Sequence, residues 1–181
     1  MGLLDAVQGQ LDQSAVGQIS QKLGINPGLA QTAVAAALPM IVAGMAKHAS
    51  NPGGAQAIQD AAERHQDVPD NVDTVLRAGP PADHTGILGD ILGQHHETVK
   101  NGVQQATGLD REKAGKLLLM LSPIVLGVLA RRQFGAKNAQ PPSPEHLRST
   151  LEQESVTAQQ QVQAQAPQVS GVLGDLFTPS S

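Results

Sequence analysis

The feature that most constrains this chain is an internal repeat. When the sequence is moved forward by 84 positions, so that Gly2 falls on Gly86, residues 2–48 align with residues 86–132 without a gap. Many of the identical positions are glycine or proline, the residues that end or bend helices. Such a repeat predicts one structural unit that is used twice. The identical pairs are Gly2/Gly86, Leu4/Leu88, Gly9/Gly93, Gln10/Gln94, Gln21/Gln105, Gly24/Gly108, Ala30/Ala114, Pro39/Pro123 and Ala46/Ala130.

Local sequence signals predict that the unit is helical. Gly24 suits the left-handed residue that ends many helices. Asn26 followed by Pro27 is typical of the start of the next helix, because the side chain caps it and the proline needs no N–H there. An apolar helix is expected over residues 28–50. The interior Pro39 is expected to divide it into two segments that meet at an angle.

The same signals recur in the second copy. Gly108 and Asp110 repeat the helix end and the cap, and the apolar run Leu117–Ala130 contains Pro123 where the first copy has its own interior proline. We expect the two apolar helices to pair across a pseudo-two-fold axis. No segment shows the alternating pattern of a half-buried strand, so the sequence predicts an all-α protein.

Each unit opens with a short amphipathic helix. The first is expected over residues 2–13, with Ser14 capping the helix that follows. The segment Gly171–Phe177 repeats Gly86–Leu92 and is therefore a third copy of the opening helix. A helix this short is not stable alone, so we expect it to dock, either in its own chain or in a neighbouring chain. The residues expected to form interaction surfaces are Leu3, Leu4, Val7, Ile87, Leu88, Ile91, Leu92, Val172, Leu173, Leu176 and Phe177.

The predicted organisation is two repeated helical units packed as one bundle, with a C-terminal tail that carries a short amphipathic helix. The tail before that helix is rich in proline and glutamine, which is typical of a weak helix or a disordered tether. The predicted parts are a first unit with a surface helix over 2–78, a linker over 79–85, a second unit over 86–135, a tether over 136–170 and a docking helix over 171–177.

Composition argues against several classes of function. The chain has no Trp, no Tyr, two Phe and no Cys, and its net charge is −4. Single-stranded nucleic-acid binding depends on aromatic stacking, and phosphate binding in general depends on positive charge, so no nucleic-acid partner is expected. Disulfides and Cys-based zinc sites are excluded. No small-molecule substrate is evident, and no secretory signal is visible, so a cytoplasmic location is expected.

No motif in the sequence points to catalysis. His95, His96 and Glu97 form the only cluster of metal-type ligands. Adjacent helical residues point about 100° apart, so both histidines cannot easily bind one ion, and we interpret the cluster as an exposed polar face. The serines lie in no nucleophile motif and the glycines form no phosphate-binding loop. We therefore predict no catalytic residue, no metal and no cofactor, and expect that the protein is not an enzyme.

Taken together, these segments resemble a known family. The residues GINP and ALPMIVAGMAKHA in the first unit, and GILGDILG and TGLDREKAGKLLLMLSPIVLGVLARR in the second, are similar to the YidB-like bacterial family, domain of unknown function number 937. The resemblance covers residues 2–135 and the terminal GVLGDLF. It implies an all-helical bacterial protein, and it implies no enzyme activity because the family has no agreed catalytic residues.

The expected function is therefore that of a non-catalytic structural or interaction protein. We expect a homo-oligomer that self-associates through its short apolar helices, and that forms higher-order assemblies if the contact is head-to-tail. The alternative is a peripheral membrane protein whose opening helices enter the lipid interface. The apolar segment Leu29–Ala46 is near the lower limit of length for crossing a bilayer, but it is diluted by polar residues and alanine.

Overall fold

The structure is a computed structural model that describes residues 2–79, 86–135, 143–165 and 167. Within these ranges all regular structure is helical, which confirms the predicted all-α class. The α-helices are α1 Leu3–Gln10, α2 Gln13–Leu23, α3 Pro27–Ala49, α4 Gly54–Arg64, α5 Val72–Ala78, α6 Gly86–Leu92, α7 His96–Thr107, α8 Arg111–Phe134 and α9 Pro144–Gln165. Short 3-10 turns span Val68–Asp70 and Gly93–His95.

Side-chain caps define where the long helices begin. Asn26 Oδ1 accepts a hydrogen bond from the Leu29 amide at 2.7 Å, and Asp110 Oδ1 accepts one from the Lys113 amide at 2.8 Å. Both predicted caps are confirmed. Each cap satisfies an amide that has no partner inside its own helix, which is why the chain turns into a helix at these points.

The predicted start of α2 is wrong. α1 ends at Gln10 rather than at residue 13, and Asp12, not Ser14, caps α2 by accepting a hydrogen bond from the Ala15 amide at 2.8 Å. Aspartate and serine both cap helices well. Asp12 comes first in the chain, so α2 begins directly after it. The predicted end of α2 is confirmed, since Gly24 adopts a φ of 65°.

Each interior proline lies within a single helix. α3 continues through Pro39 and α8 through Pro123 without a break, and the expected angle at each proline stays a prediction. A proline removes only one intrahelical hydrogen bond, to the carbonyl four residues before it. Burial on all sides keeps the flanking turns helical, because every residue from Ala36 to Ala46 and from Leu117 to Ala130 is buried.

α3 and α8 form the centre of the molecule. α3 contacts α2, α4, α6, α7, α8 and α9, and α8 contacts α1, α4, α6 and α7. Both helices are long and apolar enough to cross a membrane by length and composition, with a mean hydropathy of 1.7, but 78% and 83% of the relevant segments are buried inside the protein. Core helices of soluble proteins pass the same test, so this finding is weak support for membrane insertion.

The segment expected to be a tether contains a packed helix. α9 spans Pro144–Gln165, and its contact with α3 is the most extensive between any two of the described elements. Ser143 caps it, as its Oγ accepts a hydrogen bond from the His146 amide at 3.3 Å. Of the two alternatives that the sequence left open for this segment, a weak helix or a disordered tether, the structure shows a helix over residues 144–165. The buried residues of α9 are Leu147, Leu151, Ala158 and Val162.

Candidate functional site

The predicted interaction residues of α1 and α6 lie inside the protein. All are buried except Ile87, which is partly buried against the core. In this conformation they hold the opening helices to the body, and Leu88 also lines a surface cleft. Their expected role in self-association stays a prediction. The buried residues are Leu3, Leu4, Val7, Leu88, Ile91 and Leu92. The other predicted residues, Val172, Leu173, Leu176 and Phe177, lie outside the described residues.

α6 is attached to the body by close packing and by one ion pair. Leu92 packs against Gly44 of α3, where an added Cβ would lie 2.6 Å from Leu92 Cδ2. Asp90 Oδ2 accepts a hydrogen bond from the Arg64 guanidinium of α4 at 2.8 Å. The helix ends at Gly93, whose φ of 54° favours glycine. A Cβ there would also lie 2.5 Å from His48 Nδ1.

Two clefts lie on the surface of the described chain at related positions. The first cleft has a volume of about 400 Å³ and the second about 340 Å³. Four lining positions of the first, 12, 13, 16 and 31, become 96, 97, 100 and 115 in the second when 84 is added. The first cleft is lined by Leu11, Asp12, Gln13, Val16, Gly17, Pro27, Gly28 and Gln31. The second cleft is lined by Leu88, Gly89, Gly93, His96, Glu97, Lys100, Gly115 and Leu119.

The charged residues differ between the clefts. Asp12 is the only charged residue that lines the first cleft, and its carboxylate already caps α2. The second cleft contains Glu97 and Lys100, and Arg111 at the start of α8 pairs with Glu97. The second cleft is therefore the candidate site, because the related positions in the first hold Gln13 and Val16 in place of the charged pair Glu97 and Lys100.

Glu97 is the centre of the charged cluster. Its Oε1 accepts a hydrogen bond from Lys100 Nζ at 3.1 Å, its Oε2 accepts one from the Arg111 guanidinium, and His96 Nε2 lies 3.4 Å from Oε1. The Lys100 hydrogen bond, together with the positive charges of Lys100 and Arg111, lowers the pKa of Glu97 below its ordinary value despite partial desolvation. The cluster connects α7 to the first turn of α8.

Glycines keep the second cleft open. A Cβ added to Gly89 would meet no atom within 4 Å, and one added to Gly115 would meet only Lys100 Cε, at 3.6 Å. Leu88 and Leu119 supply the apolar part of the lining. The result is a cleft with an apolar lining and a charged edge, which suits an amphipathic partner better than a fully polar ligand.

His48 lies behind the second cleft, next to Gly93. Burial lowers the pKa of His48 below its ordinary value, while a hydrogen bond with Asp90 and the negative charge of Asp90 oppose that shift. Among the described residues no group of three or more His, Asp or Glu side chains is placed to hold a metal ion. The charged side chains beside the second cleft are engaged in ion pairs with one another.

The sequence only partly indicated this site. The i,i+3 spacing of Glu97 and Lys100 is a recognisable helical pair, but it was not singled out. Arg111 follows Glu97 by 14 residues on another helix, and no sequence pattern relates them. His96, interpreted as part of an exposed polar face, in fact lines the cleft, with its Nδ1 2.8 Å from the Gly93 carbonyl oxygen.

Comparison with known proteins identifies the family. A family model described as a bacterial protein of unknown function (DUF937) matches residues 5–132. The chain belongs to this family. The DUF937 assignment agrees with the YidB-like resemblance of the sequence, and it covers α1 to α8 almost completely. No match is found among curated proteins or among solved structures. Membership of DUF937 assigns no activity, so the function has to be argued from the molecule.

Proposed function

We propose that this DUF937 protein is a non-catalytic structural protein that self-associates through its C-terminal tail. One observation carries the proposal: the sequence motif of an opening helix occurs three times, whereas the repeat provides only two units that it can open. The third copy, Gly171–Phe177, retains the pattern of α6. Three apolar residues of α6 are buried in the body, and their counterparts in the tail are apolar too. The related pairs are Leu88/Leu173, Ile91/Leu176 and Leu92/Phe177.

The proposal includes the view that the body is two copies of one three-helix unit. The bounds of the helices support it: Pro27–Ala49 shifted by 84 gives 111–133, and α8 spans Arg111–Phe134. Gln13–Leu23 shifted in the same way gives 97–107, and α7 spans His96–Thr107. The related positions of the two clefts are a further argument for the repeat.

The charged cluster is better explained by structure than by catalysis. Glu97, Lys100 and Arg111 are paired with one another across two helices. A general acid or base needs a free position for substrate and a pKa near the working pH, whereas the pKa of Glu97 is shifted away from neutrality. These features favour a binding role for the second cleft and support a protein that acts by association.

Membrane association is the alternative, and it has less support. Peripheral insertion needs apolar side chains that can reach the lipid interface. The apolar residues of α1 and α6 are buried, and the two long apolar helices are mostly enclosed by other helices. We therefore retain a cytoplasmic, self-associating protein as the proposal. Flotation with liposomes of anionic and neutral lipid tests the alternative, which predicts that the protein rises with the vesicles.

The test of self-association is molar mass by light scattering over a range of concentrations. The full chain is compared with a triple variant, Leu173→Ser/Leu176→Ser/Phe177→Ser. We expect the full chain to form species larger than a monomer and the triple variant to remain monomeric. Refractive index is the suitable detector, because a chain without Trp, Tyr or Cys scarcely absorbs in the near ultraviolet. Truncation at Gln140 is unsuitable because it also removes α9 from the core.

A matched control separates the tail from general surface effects. Val156 on α9 is 57% exposed, so Val156→Ser removes an apolar side chain from the surface without opening the core. We expect this variant to self-associate as the full chain does. If the full chain is a monomer at all concentrations, the proposed function is wrong.

A further inference from the structure

We propose that the second cleft of one chain binds the tail motif, residues 171–177, of a second copy. The inference rests on the proposed self-association and specifies where the contact forms. Among the described residues the second cleft is open, since a Cβ added to Gly89 would meet no atom within 4 Å and one added to Gly115 would meet only Lys100 Cε. Leu88 and Leu119 give it an apolar lining, which suits the apolar face of a short amphipathic helix.

The motif does not displace α6 itself. Leu92 is completely buried against Gly44 and Val99, and an added Cβ at Gly44 would already be too close to it. Phe177 is the counterpart of Leu92, and its larger ring would overpack that position. The tail motif therefore needs a cleft that is open, and the second cleft lies directly beside α6.

The position of α9 favours a second copy as the partner. α9 begins beside the end of α3, where Pro144 and Arg148 line a surface depression with Ala49. Because α9 then packs along α3, its last residue lies near the start of α3. His48, which contacts Gly93 of the second cleft, lies at the opposite end of α3. By the rise of an α-helix, this separation is about 30 Å.

The chain between α9 and the motif is too short to cover this distance. Six steps along the chain lead from Gln165 to Gly171. Even fully extended, they span only about 20 Å. Gly171 of the same chain therefore stops about 10 Å short of Gly93, and a helical motif adds only about 9 Å, so even a fully extended connection brings no more than its last residue to Gly93. The motif of a second copy has no such limit.

Charge distinguishes the second cleft from the first. Asp175 is the only ionisable side chain in the motif. Lys100 and Arg111 outnumber Glu97 at the second cleft, whereas Asp12 is the only charged residue that lines the first. The motif is thus attracted to one cleft and repelled by the other, and such complementarity selects between similar surfaces.

The contact joins two different surfaces, a tail and a cleft. It is therefore heterologous. In a bound pair, the copy that donates its tail keeps a free cleft, and the copy that donates its cleft keeps a free tail. Heterologous contacts close into rings when the rotation allows and otherwise continue as open filaments. The expected mass distribution of the full chain therefore includes species larger than a dimer.

The first experiment fills the cleft. Gly115→Leu places a side chain inside the second cleft without a backbone clash, and Gly17→Leu does the same in the first cleft as a matched control. Both glycines are helical and have space for a Cβ, so both variants are expected to fold. We expect Gly115→Leu to abolish self-association of the full chain and Gly17→Leu to leave it unchanged.

The second experiment measures the contact directly. A fluorescent peptide of residues 168–181 is titrated with the full-length triple tail variant, whose own motif cannot compete. We expect binding that Gly115→Leu weakens at least about tenfold, because a blocked central pocket removes the main anchor of an interface. We expect a peptide with Asp175→Asn to bind more weakly, with a smaller dependence on salt.

The outcomes separate this inference from the proposed function. If the triple tail variant is monomeric but Gly115→Leu still associates and binds the peptide, the cleft assignment is wrong and self-association through the tail stands. If the full chain is always monomeric, the proposed function fails. If the full chain is monomeric but the peptide binds the triple tail variant and Gly115→Leu prevents that binding, the motif docks in its own chain. That result overturns the role of a second copy.

Discussion

At the scale of single residues, glycines decide how closely the elements approach. Gly127 of α8 faces the 3-10 turn that precedes α5. An added Cβ would lie 2.6 Å from Pro69 Cδ and 2.7 Å from the His65 carbonyl oxygen. The carbonyl belongs to the backbone and cannot rotate away as a side chain can. The apolar centre of α8 therefore needs a glycine here for a packing reason that its sequence pattern does not reveal.

We expect Gly127→Ala to destabilise the protein by about 1–3 kcal/mol, since it forces a backbone shift in a packed region. The control is Gly17→Ala in α2, whose Cβ would meet nothing within 4 Å. That change should stabilise by up to about 1 kcal/mol, because alanine loses less entropy in a helix. Urea unfolding followed by far-ultraviolet circular dichroism measures both. Equal effects of the two changes would contradict the close contact.

His48 is expected to make stability depend on pH. Its pKa is lowered in the folded protein by burial, from an ordinary value of 6.5. The unfolded chain therefore binds a proton more readily below that value. The contribution of His48 to the free energy of unfolding is fully present above pH 6.5. It is lost as the pH falls through the lower pKa of the folded state. Asp90 opposes this loss but is itself paired with Arg64.

Replacing His48 by Gln should reduce the loss of stability between pH 7.5 and pH 5 relative to the parent chain. The control is His146→Gln, because His146 is exposed on α9 and should leave that dependence unchanged. Urea midpoints at the two pH values give the comparison. An identical pH dependence in the parent and in His48→Gln would show that this partly buried imidazole does not control it.

At the scale of helices, α9 belongs to the core although its composition is that of a polar segment. Leu151 is completely buried, whereas Val156 on the same helix is 57% exposed. We expect Leu151→Ala to cost about 2–5 kcal/mol, because it leaves a cavity against the body. Val156→Ala should change stability by less than about 0.5 kcal/mol. Urea unfolding measures the stability of both variants, and equal losses would contradict the assignment of α9 to the core.

The Glu97 cluster holds α7 to α8 but is partly exposed. Lys100 is the most buried member, with a side chain 16% exposed, whereas that of Arg111 is 64% exposed. Because solvent screens such pairs, Glu97→Gln should lower stability by no more than about 1 kcal/mol. The difference from the parent chain should shrink in high salt. Urea midpoints at low and high salt test this, and a loss that salt leaves unaltered would indicate another role for Glu97.

The helix ends and the charged cluster show how far prediction from sequence extends. Asn26 and Asp110 were predicted as caps because a cap bonds an amide only three residues away. Gly24 was predicted from the same local geometry. Arg111 reaches Glu97 only because α7 and α8 pack together, so its pairing depends on the whole fold.

At the scale of the whole molecule, related sequences acquire unequal environments. α1 and α6 share an opening pattern, and both bury it in the body. The two clefts share four lining positions, but only the second carries the Glu97 and Lys100 pair. Differences at a few lining positions therefore give the two clefts unequal charge.

The sequence by itself determined the helical class, the helix caps at Asn26 and Asp110, the glycine end of α2 and the apolar core of α3 and α8. These features depend on residues within a few positions of each other or on a repeated apolar pattern. The tertiary structure alone decided that α9 packs on α3, that α1 and α6 are buried, and that charges gather in the second cleft. Those outcomes depend on contacts between distant segments, whose free energy no local pattern encodes.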